Sequence, residues 1–162
     1  IPQHVASLMA KLNETGVRVL GEEDKITVHS IGKYRAVNFQ SLPYPGFPTD
    51  LLPQVMAMMT LAEGTSVIRE TVYTNRYKHV GELRRMGANI LIADRTAVVQ
   101  GVTHLTGAEV VVPDLRAGAA LVLAALAAEG TTIIDDNGHL GRGYANLVGK
   151  LQGVGANIRL ID

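Results

Sequence analysis

The chain has 162 residues, 47% of them apolar, and its 15 basic and 15 acidic side chains cancel at neutral pH. That length suffices for one domain with a real core, and no run of like charge offers the basic stripe of a nucleic-acid binder or a lipid-binding segment. Cysteine is absent, which excludes disulfides, thiolate metal sites and a cysteine nucleophile.

The opening Ile1-Pro-Gln-His-Val5 carries neither an initiator Met nor a signal-like segment, which predicts a processed or excised piece. Ile1 to Gly16 reads as a helix that turns at Gly16 into a strand. The corner Pro43-Tyr-Pro-Gly-Phe-Pro-Thr-Asp50 then delivers an acid to the head of an apolar helix ending in Ala62-Glu-Gly64. Thr65-Ser-Val-Ile68 is a short β-branched run typical of a strand. The polar loop Thr74-Asn-Arg-Tyr-Lys-His-Val80 leads into a second helix and a Gly87-Ala-Asn turn. Leu91 to Gly101 reads as two strands around Asp94-Arg95, a hairpin. Val110-Val-Val is a buried strand, Pro113-Asp-Leu-Arg116 a second acidic corner, and Ala117 to Ala128 a core helix well short of the roughly 18 residues of a membrane span. Thr131-Thr-Ile-Ile134, the loop Asn137 to Tyr144, a helix and a strand at Ile158 with a hairpin partner complete the series.

The series repeats. Ala62-Glu-Gly-Thr-Ser-Val-Ile68 returns as Ala128-Glu-Gly-Thr-Thr-Ile-Ile134, and Glu82-Leu-Arg-Arg-Met-Gly-Ala-Asn-Ile90 returns as Lys150-Leu-Gln-Gly-Val-Gly-Ala-Asn-Ile158. Lys11 to Val19 is a third copy of the second motif. Each unit is α/β with a mixed sheet. The expected division is the tail of one unit, then units near 43–108 and 109–162, so that most of a three-unit domain is present and its beginning is cut away. Stacked repeats ordinarily need about three copies to cover their faces.

The repeat places Asp50 level with Asp114, each expected to cap its helix through a first-turn N–H, and Arg76 level with Arg142, each at the head of a second helix. Helix N-termini gathered at one end of the domain would favour anions. With Arg76, Arg116 and Arg142 they would suit a phosphate or carboxylate, while the acids would accept from a hydroxyl or serve as general bases. Taken singly, an Asp before a helix is an ordinary cap and an Arg at a helix head an ordinary surface charge. His4, His29, His79, His104 and His139 have no metal-ligand spacing, and the glycines of Gly138 to Gly143 follow neither the Walker nor the Rossmann order.

Pro48-Thr-Asp50, Asn75-Arg76-Tyr-Lys-His79, Asp114-Leu-Arg116 and Gly141-Arg142-Gly-Tyr144 resemble, in order and spacing, the C-terminal half of the UDP-N-acetylglucosamine enolpyruvyl transferases. The resemblance runs from about Val5 to Asp162. It implies an inside-out α/β barrel built from repeated βαβαββ units, here an incomplete three-unit domain. It also implies transfer of the enolpyruvyl group of phosphoenolpyruvate to the 3-hydroxyl of UDP-N-acetylglucosamine, with release of phosphate, in the cytoplasm. This is the first committed step of peptidoglycan precursor synthesis, and it needs no metal or other cofactor.

By the same resemblance Asp50 would contact and deprotonate the sugar hydroxyl, and Arg76, Arg116 and Arg142 would hold phosphoenolpyruvate. Asp114 would stand near the reacting centre with Leu115 packed there, and Val72 would contact the amino sugar. The implied partners are the two substrates and an N-terminal domain absent from this chain, which carries the acid-acting loop, so the chain alone is expected to be inactive. No nucleic acid or membrane partner is expected. Two alternatives stay open. The related shikimate-phosphate enolpyruvyl transferases normally show Lys-Glu-Ser-Asp-Arg where this chain has Asn75 to His79, and a non-catalytic α/β repeat module would leave the arginines as surface charge.

Overall fold

A computed structural model describes residues 1–30 and 32–161. A short 3-10 turn over Pro2–Val5 runs into α1 (Ala6–Glu14), and Gly16, at φ 97°, turns the chain toward the hairpin of β1 (Arg18–Gly21) and β2 (Ile26–His29). Strand β3 (Phe39–Gln40) leads through a 3-10 turn over Thr49–Leu51 into α2 (Leu52–Met59) and back along β4 (Thr65–Arg69), which pairs parallel to β3. Helix α3 (Val80–Arg85) and the antiparallel pair β5 (Asn89–Ala93) and β6 (Thr96–Gln100) follow, giving a four-stranded sheet in the order β3-β4-β6-β5. The expected hairpin is present, with Asp94 in the left-handed region at its tip. The second half repeats the pattern: β7 (Glu109–Val111), α4 (Leu115–Ala127) and β8 (Ile133–Asp135) form another parallel crossover, and α5 (Leu147–Gly153) follows a 3-10 turn.

Helices α2 and α4 are central because neither has a polar face to offer solvent. Leu52, Val55, Met56 and Met59 of α2 and Ala120, Leu121 and Ala124 of α4 lie in one core cluster with Ile68, Leu83, Ile90, Ala97, Val99 and Val110 of the surrounding elements. In β4, Ser66 and Ile68 turn inward while Val67 and Arg69 turn outward, the alternation of a sheet with one solvated face. The register places Val67, Val98 and Leu91 in one outward row. Helices α2 and α4 are thus inside, and the outer face of the four-stranded sheet is solvated.

The end of the second repeat departs from expectation. Residues 156–161 form no strand. In the first repeat β5 gains its ladder from β6 alone; after Ile158 no equivalent second strand exists among the described residues, so the backbone has no partner to order it. Among the described residues no helix is long and apolar enough to cross a membrane.

Leu121 is fully buried between the two repeats. Replacement Leu121→Ala is expected to lower the unfolding free energy by about 3 kcal/mol, measured by urea denaturation; a loss below about 1 kcal/mol would contradict a core shared by α2 and α4.

Candidate active site

The two corner acids behave differently. Asp114 caps α4 as expected: its backbone is extended, and its Oδ1 accepts from the N–H groups of Arg116 (3.0 Å) and Ala117 (2.9 Å). Asp50 caps nothing. The Thr49–Leu51 turn pushes the start of α2 past it, Leu51 takes the cap position, and no side chain bonds there. Its Oδ1 instead accepts from Arg76 Nη2 at 3.1 Å and its Oδ2 from Arg116 Nη2 at 2.7 Å. With the cap position taken by Leu51, the Asp50 carboxylate makes its charge-assisted bonds to the two guanidinium groups instead. The expected anion site at helix N-termini is also narrowed, since Asp114 already occupies two first-turn N–H groups of α4.

Arg76 stands in the turn that precedes α3, not at the helix head, and its side chain is only 9% exposed. The Tyr73 ring lies 4.4 Å from its guanidinium carbon, and its Nε donates to Thr49 Oγ1 at 3.1 Å. Beneath it lies Glu70, 2% exposed, a residue the sequence reading passed over. Glu70 Oε1 accepts from the Ser41 hydroxyl (2.5 Å) and from the backbone N–H groups of Val72 (2.6 Å) and Tyr73 (2.9 Å). Its Oε2 accepts from the Thr49 hydroxyl (2.5 Å) and stands 3.9 Å from Arg76 Nε. Burial alone would push this carboxyl up, but the bonds from Ser41, Thr49, Tyr73 and Val72 outweigh it and hold the group below the usual carboxylate range. A signal was available: Ser66, Ile68 and Glu70 share the inward parity of β4 and its extension.

Arg142 lies in the exposed 3-10 turn Leu140–Arg142, well ahead of α5, and makes no ion pair among the described residues. Its loop is nevertheless fastened to the head of α4. Asp136 accepts from the N–H groups of His139 and Leu140, the Tyr144 hydroxyl accepts from Arg116 Nη1 at 3.3 Å, and a Cβ on Gly143 would stand 2.6 Å from Leu115. Leu115 is half-buried there, and Val72 is exposed with its N–H committed to Glu70. The structure therefore joins Asp50, Arg76 and Arg116 directly and ties the loops of Val72 and Arg142 to that centre.

His79, at the cap of α3, is fully buried and neither ring nitrogen has a hydrogen-bond partner. Burial pushes the imidazole down to about 4, against the opposing pull of the Asp114 carboxylate and the Arg76 carbonyl. It is neutral at neutral pH. Burial also raises the Tyr77 hydroxyl, with the Glu70 charge adding to it, to about 12; that hydroxyl is shared between the carbonyls of Ile68 and Arg95.

A half-exposed carboxylate gripped by two guanidinium groups, with a third arginine on an adjoining loop, is a donor and acceptor set chemically suited to a small ligand bearing anionic and hydroxyl groups. A sequence profile of the family described as EPSP synthase (3-phosphoshikimate 1-carboxyvinyltransferase) matches residues 2–151. The chain belongs to that family of enolpyruvyl transferases. It is 57% identical over 158 residues to UDP-N-acetylglucosamine 1-carboxyvinyltransferase 1 of Caldanaerobacter subterraneus, a match covering 98% of this chain and 38% of the relative. The protein of the same name from Carboxydothermus hydrogenoformans is 50% identical over 162 residues, covering 100% and 39%. The chain thus spans well under half the length of these relatives and matches their C-terminal part.

Among solved structures, the enolpyruvyl transferase NikO from Streptomyces tendae superposes with a TM-score of 0.86 at 35% identity, covering 96% of this chain and 36% of that one. EPSP synthase from Acinetobacter baumannii gives 0.70 at 18% identity, a likeness of fold. The fold is the α/β type of the enolpyruvyl transferases, as the repeats and the resemblance implied.

Two outcomes follow for stability. Asp114→Ala should cost about 1 kcal/mol through loss of the cap, whereas Asp50→Ala should cost less, because it removes no cap and its carboxylate is 49% exposed; chemical denaturation compares them. Because the folded His79 titrates near 4 and an unfolded one near 6.5, the unfolded chain binds the extra proton between those values. Stability should then be full above pH 6.5 and fall by up to about 3 kcal/mol as pH drops to 4. His79→Leu should flatten that slope, and an unchanged slope would refute the assignment.

Proposed function

We propose that this chain is the C-terminal part of a transferase that moves the enolpyruvyl group of phosphoenolpyruvate to the 3-hydroxyl of UDP-N-acetylglucosamine. The observation that carries this reading is the Asp50 carboxylate bridging Arg76 and Arg116, whose Cα positions come from two different repeats. The names of the relatives point the same way. In this reaction the sugar oxygen bonds to C2 of phosphoenolpyruvate while a proton adds to C3. The resulting tetrahedral ketal then loses phosphate and a C3 proton, restoring the double bond.

Asp50 takes the proton of the sugar hydroxyl. Arg76, Arg116 and Arg142 hold the carboxylate and phosphate and offset charge that builds on the intermediate, as fixed cations in a partly desolvated site do. Asp114 fixes the head of α4, and with it Arg116 and Leu115, beside the reacting atoms, while Val72 borders the sugar. The proton donor to C3 belongs to the N-terminal domain, so the chain by itself is inactive. The whole enzyme works without a metal, in the cytoplasm, at the first committed step of peptidoglycan precursor synthesis.

The domain reading belongs with this proposal. The element order is αββ, then a full βαβαββ, then βαβα, which supports a three-unit plan with units near 43–108 and 109–162, β7 leading the latter and β3, just ahead of residue 43, leading the former. An open apolar cavity of about 340 Å³ runs between α2 and α4 beside α1, lined by Leu8, Tyr34, Val55, Met58, Leu61 and Leu123 among others. In the three-unit plan it receives a third central helix of the same kind.

A chimera in which this chain replaces the matching C-terminal stretch of the Caldanaerobacter relative tests the function. Phosphate release from phosphoenolpyruvate should require UDP-N-acetylglucosamine and fall about 100-fold or more in Asp50→Ala and Arg116→Ala. The chain alone should release none. A folded chimera that stays silent with both substrates would overturn the reading.

A further inference from the structure

We propose that Glu70 is a positioning residue for the candidate active site: one buried carboxylate sets the Arg76–Asp50 pair with one oxygen and the Val72–Tyr73 backbone with the other. The proposal rests on the enolpyruvyl-transfer reading for its substrates, and on the hydrogen-bond geometry for everything else. No role in catalysis or binding has been given to this residue by the resemblance or by the repeat.

The two oxygens serve different neighbours. Oε1 collects the Ser41 hydroxyl and the N–H groups of Val72 and Tyr73, and Ser41 Oγ in turn accepts from Thr71 N–H at 2.8 Å. This oxygen dictates the path of the chain where it leaves β4, and so the direction of Val72. Oε2 faces the arginine side. Because a carboxylate can only accept, the Thr49 hydroxyl must donate to it, which leaves the Thr49 lone pairs for Arg76 Nε–H. Thr49 therefore has a fixed polarity, and it directly precedes Asp50. The 3.9 Å separation from Arg76 Nε adds attraction at long range.

A fold gains little stability from a buried ionised pair that apolar side chains of like volume could replace. Here the carboxylate sits where four stretches of chain converge: the end of β3, which already pairs with β4, the turn before α2, the exit of β4 and the turn before α3. Glu70 accepts hydrogen bonds from the first three and stands 3.9 Å from Arg76 Nε on the fourth.

The split between the oxygens makes a specific test. Glu70→Gln keeps the shape but must present its NH2 to Thr49, since two backbone N–H groups claim the carbonyl oxygen. The Thr49 hydroxyl then loses its acceptor, and Arg76 loses the nearby charge, while the Val72 side is kept. In the chimera, Glu70→Gln should raise KM for phosphoenolpyruvate about tenfold and leave KM for UDP-N-acetylglucosamine within about twofold. Thr49→Val should do the same, and the double variant should be no worse than Glu70→Gln, as for groups acting through one another. A merely structural Glu70 would lower the folded fraction and the rate with both KM values unchanged, which would overturn the proposal, as would equal rises in both.

A second measurement separates failure of this idea from failure of the enzymatic reading. In the chain itself, NMR should find that Glu70→Gln speeds solvent exchange of the Arg76 Nε–H about tenfold or more while the Val72 and Tyr73 amides stay protected. Unchanged Arg76 exchange would refute the positioning role even in an active chimera. Faster exchange in a silent one would uphold that role and discard the substrates.

Discussion

Everything in this molecule depends on the side-by-side burial of α2 and α4. Each helix is so largely apolar that most of it is buried within its repeat, Leu123 and Leu126 of α4 staying exposed, and the strands are left with one solvated face. Packing them against one another also brings their N-terminal ends together, and that is where the polar corners lie. Asp50 and Arg116, 66 residues apart in the chain, meet at 2.7 Å because of this packing. The packing that forms the core is also what brings the two corners together.

The electrostatics of the site descend in layers. At the surface, Asp50 and Arg116 are partly hydrated, and their attraction is moderated by solvent. Below them Arg76 is nearly enclosed, and below that Glu70 is shut away from water. A carboxylate that deep persists because each oxygen is matched by donors, where a single missing partner would leave a costly unpaired charge. His79 shows the other solution to burial: with no partner for either nitrogen it sheds its charge. Both groups have a lowered pKa in the folded chain, so both make this end of the domain vulnerable to acid.

The repeat explains both the economy of the site and its asymmetry. Equivalent corners supply Asp50 and Asp114, and equivalent loops supply Arg76 and Arg142, yet no pair does the same work. Asp114 satisfies its own helix, while Asp50 serves arginines from both repeats. Arg76 is locked under Tyr73 and Thr49, while Arg142 stands exposed on a loop tethered through Tyr144 and Leu115.

By itself the sequence determined the repeat and most elements within it: the Glu-Gly stops, the β-branched runs, the Asp94-Arg95 hairpin and the two apolar helices are all local signals, and local signals survive in a string of letters, whereas the short strands β2 and β3 carried no such mark. Four ordered motifs also carried the family. It did not determine the fate of the end of the second repeat, because a strand exists only where another lies beside it. Nor could it distinguish Asp50 from Asp114, since capping is decided by neighbours a few residues away but ion pairing by neighbours 26 and 66 residues away. Glu70 was hidden for the same reason: its inward parity is visible along β4, but what receives a buried charge is settled by Ser41, Thr49 and Arg76, which only tertiary packing brings to it.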